Sequence, residues 1–140
     1  MKKLLFLLPL AIAFSLVLVS NGVSQSGSVY LSPTSLRFGH CFIGDPPCEN
    51  SVTLYNTTSS SIAISREAFE GDNGFSIVTN GCGTKLAANS HCVFVLEFNQ
   101  NAGGGTGEFT ATFYVYDSAS SSPQTASLTA IAYCTDPVTC

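Results

Sequence analysis

The chain has 140 residues, 45% hydrophobic and only 10% charged, with six Cys, two His and no Trp. That composition excludes a disordered polyampholyte, which is charge-rich and poor in residues that bury. It also excludes a coiled coil, which needs abundant Glu, Lys, Arg, Ala and Leu.

Met1-Lys2-Lys3 is a short basic start, and Leu4 to Val19 is an apolar run broken only by Pro9 and Ser15. Small and polar residues follow, Ser20 to Gly27. A basic n-region, an apolar h-region and a small-residue exit are the parts of a secretory signal peptide. The run is shorter than the roughly 20 residues of a spanning helix. Cleavage after Ser24, with Gly22 two residues before it, divides the chain into a leader over 1–24 and one domain over 25–140; sites after Gly22 and Ser26 also satisfy the small-residue rule. No Cys lies just after the run to carry a lipid, and the chain closes at Cys140 without a hydrophobic tail. The expected location is therefore secreted, periplasmic or cell-surface, with no membrane association after cleavage. The domain keeps Arg37, Arg66 and Lys85 against nine carboxylates, a net charge of −6. Nucleic acid, which demands clustered Lys and Arg, is not an expected partner. An even number of cysteines agrees with export to an oxidising compartment.

From Val29 onward, period-2 alternation replaces helical periodicity. Val52 and Leu54 share one face of a strand, and Ile62 and Ile64 repeat the pattern. Cys92, Phe94, Leu96 and Phe98 alternate with His91, Val93, Val95 and Glu97. Phe109, Ala111, Phe113 and Val115 alternate with Thr and Tyr, as do Ala126, Leu128, Ala130 and Ala132 with Thr, Ser and Ile. Turn signals separate the runs at Gly44–Pro47, Asn56–Thr58, Gly71–Gly74, Asn80-Gly81, Ala102–Gly105 and Ser118–Pro123. About seven to eight short antiparallel strands at this spacing predict an all-β, immunoglobulin-like β-sandwich.

Several segments, in order, resemble the immunoglobulin-like domain shared by abnormal-spindle/hydin (ASH) proteins and bacterial choice-of-anchor D proteins. Leu31 to Gly39 is similar to that family's opening "SPtsLdFG", and Phe42-Ile43-Gly44 to its "vG". Val52 to Thr57 resembles "vtLtNt", and Gly71 to Ile77 resembles "GdnaaFsi". Asn80-Gly81-Cys82 through His91 to Phe98 resembles the Cys-bearing pair of strands, and Ser122 to Ala130 resembles "spqtvsLtG". The match covers about residues 29–133. Gln100 stands near a usual Pro, Ala130 stands at a usual Gly, and Cys41, Cys48, Cys134 and Cys140 are additions to the pattern. The resemblance implies a binding or spacer module without a cofactor, and it implies that Cys82 pairs with Cys92. Cys41 with Cys48, and Cys134 with Cys140, would close two further short loops. A crossed Cys41–Cys134 pair stays open, because the first and last strands of such sandwiches can run side by side.

Each His directly precedes a Cys, at His40-Cys41 and His91-Cys92. Two His and two thiolates can hold zinc, but adjacent strand residues face opposite ways and exported cysteines are oxidised, so no metal is expected. Glu67, Glu70 and Asp72 lie close in sequence and read as a solvated acidic loop rather than a calcium site. Asn56-Thr57-Thr58 fits a glycosylation acceptor. No nucleophile elbow, metalloprotease helix, phosphate loop or Cys-x-x-Cys pair is present, so no enzyme is expected. The outward positions of the alternating strands carry Val93, Val95, Tyr114, Tyr116, Ile131 and Tyr133. If their strands are neighbours, they form one apolar face for an unknown protein partner or for self-association. The expected function is an interaction or structural module at the cell surface; the alternatives are a self-assembling surface or filament subunit and a carbohydrate-binding domain that stacks sugars on Tyr114 and Tyr116.

Overall fold

The computed structural model describes residues 27–102 and 104–134. The expected leader over 1–24 lies outside the described residues. Among the described residues, nine strands build two sheets. They are β1 (Val29–Ser32), β2 (Ser35–Phe42), β3 (Cys48–Asn56), β4 (Ile62–Gly71), β5 (Phe75–Asn80), β6 (Lys85–Leu86), β7 (Ser90–Phe98), β8 (Gly107–Asp117) and β9 (Gln124–Tyr133). One sheet has the order β1-β3-β7-β5 and the other β2-β9-β8-β4-β6.

The alternation seen in the sequence is the alternation of burial. Phe94, Leu96 and Phe98 are buried on β7, Phe113 and Val115 on β8, and Leu128, Ala130 and Ala132 on β9. Their faces meet between the sheets, where Phe94 and Phe113 pack edge to face with ring centroids 5.3 Å apart. Burying a large apolar side chain contributes about 1.5–3 kcal/mol, so these rings dominate the core. Ala130, at the position where Gly was expected, points its methyl into that core and is 1% exposed.

The strand count exceeds the expected seven to eight because the opening segment is divided. Pro33, which has no N–H to give to a ladder, separates β1 in one sheet from β2 in the other. The two-residue β6 supplies the rest. The pairing is also not wholly antiparallel: β2 runs parallel to β9, Leu36 opposite Leu128 and Cys41 opposite Ala132. A bulge between Arg37 and Gly39 interrupts that register, and Gly39 takes the positive φ of 77° there.

Two disulfides staple this frame. Cys41–Cys48 joins β2 to β3, and so one sheet to the other, with Cα atoms 5.9 Å apart. Cys82–Cys92 ties the segment after β5 to β7, with Cα atoms 5.0 Å apart. The crossed Cys41–Cys134 alternative is thereby excluded. Parallel pairing does bring β2 beside β9, but Cys48 across the turn takes the Cys41 sulfur. Cys134 is itself disulfide-bonded, and the expected Cys134–Cys140 clip reaches into residues outside those described.

Candidate functional site

The six outward residues expected to form one apolar face lie on three separate patches. The alternation does turn them outward, but it carries no information on which sheet a strand joins. Val93 and Val95 belong to β7 in the first sheet; Tyr114, Tyr116, Ile131 and Tyr133 belong to β8 and β9 in the second, on the opposite side of the molecule. Within the second sheet, Tyr114 pairs with Thr125 while Ile131 pairs with Glu108. Those rows are six residues apart, about 20 Å along the strand.

The first patch is the outer face of the β1-β3-β7-β5 sheet. Val93 is 38% exposed, and Tyr30 on the edge strand β1 is 41% exposed. Tyr30 stands opposite Tyr55, and Tyr55 opposite His91. The first two rings stack at 5.2 Å, and His91 tilts against Tyr55 at 5.5 Å. Sequence reasoning missed this row because its members come from three distant segments, each contributing one ring.

The second patch holds Tyr114 and Tyr116, stacked at 6.2 Å. The Arg66 guanidinium lies 4.2 Å from the Tyr116 ring centre, a cation–π contact. The Tyr114 hydroxyl bonds to Glu70, and that hydrogen bond, with slight desolvation and the nearby carboxylate charge, raises its pKa above the ordinary phenol value. The third patch sets Tyr133 against His40 at 4.6 Å and against Phe42 at 6.3 Å, with Ile131 opposite His40.

Among the described residues, the two imidazoles and the Glu67, Glu70 and Asp72 carboxylates do not converge. His40 and His91 are on the outer faces of different sheets, so they cannot share an ion, and Cys41, Cys48, Cys82, Cys92 and Cys134 are all disulfide-bonded. Glu67 accepts from Asn80 Nδ2 at 3.1 Å, and Asp72 from the Thr110 N–H at 2.7 Å. With Glu70 on Tyr114, the three acidic residues each serve a different strand contact. A surface hollow of about 350 Å³ beside β1 is lined by hydroxyls of Ser28, Thr58, Ser60 and Ser118 among others, without an ionisable group.

Two buried amides do work that the sequence did not reveal. Asn56 is fully buried; its Nδ2 donates to the carbonyls of Ser60 and Ala87 at 2.9 and 2.8 Å, and its Oδ1 accepts from the Thr58 N–H and hydroxyl. The glycosylation pattern at Asn56 is therefore a structural clamp, its amide fully engaged in the folded protein. Gln100 is 1% exposed, and its Nε2 donates to the carbonyls of Phe42 and Asp45, both at 2.8 Å. It anchors the turn enclosed by the Cys41–Cys48 disulfide, which explains a polar residue near a usual Pro.

Two sheets that share a divided first strand, with the second half parallel to the last strand, define an immunoglobulin-like β-sandwich. No family model and no curated protein matches the chain. Among solved structures it is similar to a protein of unknown function from Porphyromonas gingivalis W83, with TM-score 0.62 and 12% identity over 77% of this chain and 48% of that one. It is also similar to a family 123 glycoside hydrolase from Clostridium perfringens, with TM-score 0.58 and 10% identity over 78% of this chain and 28% of that one. The VesB protease of Vibrio cholerae matches with TM-score 0.55 and 14% identity over 77% of this chain and 32% of that one. This chain thus spans less than half the length of each. Likeness at such identity is of fold alone and assigns no activity.

Proposed function

We propose that the chain is an exported, disulfide-bonded immunoglobulin-like module of the ASH and choice-of-anchor D kind. In this reading it acts in the periplasm or at the cell surface by binding protein, without performing chemistry. The observation that carries the reading is the distribution of side chains. Aromatic and aliphatic groups stand on the outer sheet faces, while the two imidazoles and the Glu67, Glu70 and Asp72 carboxylates are spread over separate contacts. Such faces suit docking, and dispersed ionisable groups do not make an acid–base pair. The disulfides favour an oxidising compartment. The recurrence of the fold as one portion of longer chains favours a module. The sugar-stacking alternative is weakened at Tyr116, whose ring already carries the Arg66 guanidinium.

The test uses the exported chain as bait beside Val93→Glu and Tyr116→Glu, each checked for an unchanged thermal melt. A protein retained by the wild type and lost with only one variant supports the reading. Capture indifferent to both substitutions, or turnover of a hydrolase substrate, overturns it.

A further inference from the structure

The register of the first sheet sets its outer face in ordered rows. Tyr55 stands opposite His91, then Thr53 opposite Val93, Ser51 opposite Val95, and Glu49 opposite Glu97. One end therefore offers phenol and imidazole donors, the middle is uncharged, and the far end holds two carboxylates directly opposite each other. Like charges so placed repel. Glu97 has one partner, the Ser76 hydroxyl at 2.7 Å, and one carboxylate oxygen to spare.

These rows are symmetric about the pair Val52 and Phe94, which face each other on β3 and β7. Tyr55 lies three residues to one side and Glu49 three to the other. His91 and Glu97 flank Phe94 in the same way, as do Val93 and Val95. A two-fold axis in the plane of the face, crossing the strands over Val52 and Phe94, therefore lays the face on a second copy of itself. His91 then meets Glu97 of the second copy, Tyr55 meets Glu49, and Val93 meets Val95. A two-fold interface requires this self-complementarity.

We propose that this face pairs two copies of the chain, His91 and Tyr55 of each supplying donors to the facing carboxylates of the other. The inference rests on the binding reading above and names the partner. The ladder supplies complementarity of hydrogen-bond donors to carboxylates, and the exposed Val93, 38% open, supplies apolar contact at the centre. Two strands by six residues is a footprint about 10 Å by 20 Å, small beside a standard interface, so association appears only at high micromolar concentration.

Sedimentation velocity of the exported chain, from micromolar to millimolar, tests this. The expected result is a concentration-dependent dimer that Val93→Glu abolishes without lowering the melting temperature. His91→Lys, a fixed cation opposite Glu97, strengthens association roughly tenfold, equivalent to about 1.4 kcal/mol. His91→Glu abolishes it, and adding Glu97→Lys to that chain restores it. A chain that stays monomeric throughout overturns the proposal, as does a dimer indifferent to these substitutions or one dissociated by Tyr114→Glu on the other sheet. A monomer that still captures a different protein through Val93 overturns self-pairing and leaves the binding reading standing.

Discussion

Asn56 makes more side-chain hydrogen bonds than any charged residue among those described. Its amide joins the end of β3 to the β3–β4 turn and to Ala87 before β7. Asn56→Ala removes two donated and two accepted hydrogen bonds from a buried site and leaves the Thr58 N–H without its acceptor, and should cost about 3 kcal/mol in urea unfolding. Gln100→Leu keeps the volume but strips the donors from the 42–48 turn. It should cost about 2 kcal/mol and speed amide exchange at Asp45, whose N–H bonds to the Phe42 carbonyl. At Tyr114 the hydrogen bond to Glu70 favours the neutral phenol, so the folded pKa lies above the unfolded one. The sign follows: this contribution is full below the ordinary phenol pKa and is lost as pH rises through the raised one. In the difference spectrum against Tyr114→Phe, phenolate absorbance should appear above the ordinary range, and Glu70→Gln should bring it down.

Strands were legible because alternation is local. Phe94, Leu96 and Phe98 could be assigned to the core from β7 alone, and Ala126 and Leu128 from β9 alone. Which strands become neighbours depends on contacts far apart in sequence, and here the local pattern was silent. For that reason alternation alone does not separate Val93 from Tyr114, which lie on opposite faces, and does not show the ring row from Tyr30 to His91. Polar anchors were illegible for a related reason: Asn56 and Gln100 look like turn residues until the distant carbonyls they serve are in place. The edge of β2 shows the same logic. Its Arg37 carbonyl accepts from Asn50 Nδ2 at 3.0 Å and its Phe42 carbonyl from Gln100, which occupies groups that an added strand would need. The Cys82–Cys92 bridge closes a short loop, so replacing both residues with Ser should lower stability by about 2–3 kcal/mol in denaturant titration.

At the scale of the whole molecule, a disulfide-stapled sandwich presents two outer faces of different character. One grades from aromatic rings to carboxylates over three strands; the other divides its rings into two patches separated by Thr and Ser. The core rings and the buried amides hold both faces rigid, which lowers the ordering cost of docking. The central claim is that the chain works through such a face. The most direct measurement is site-specific photo-cross-linking in the exporting cell, with the reactive side chain at Val93 in one chain and at the buried Phe94 in another. The account predicts a discrete protein adduct from Val93, of the chain's own dimer mass where self-pairing holds, and none from Phe94. An exported, folded chain that gives an adduct neither from Val93 nor with the reactive side chain at Tyr116 on the other sheet would contradict it.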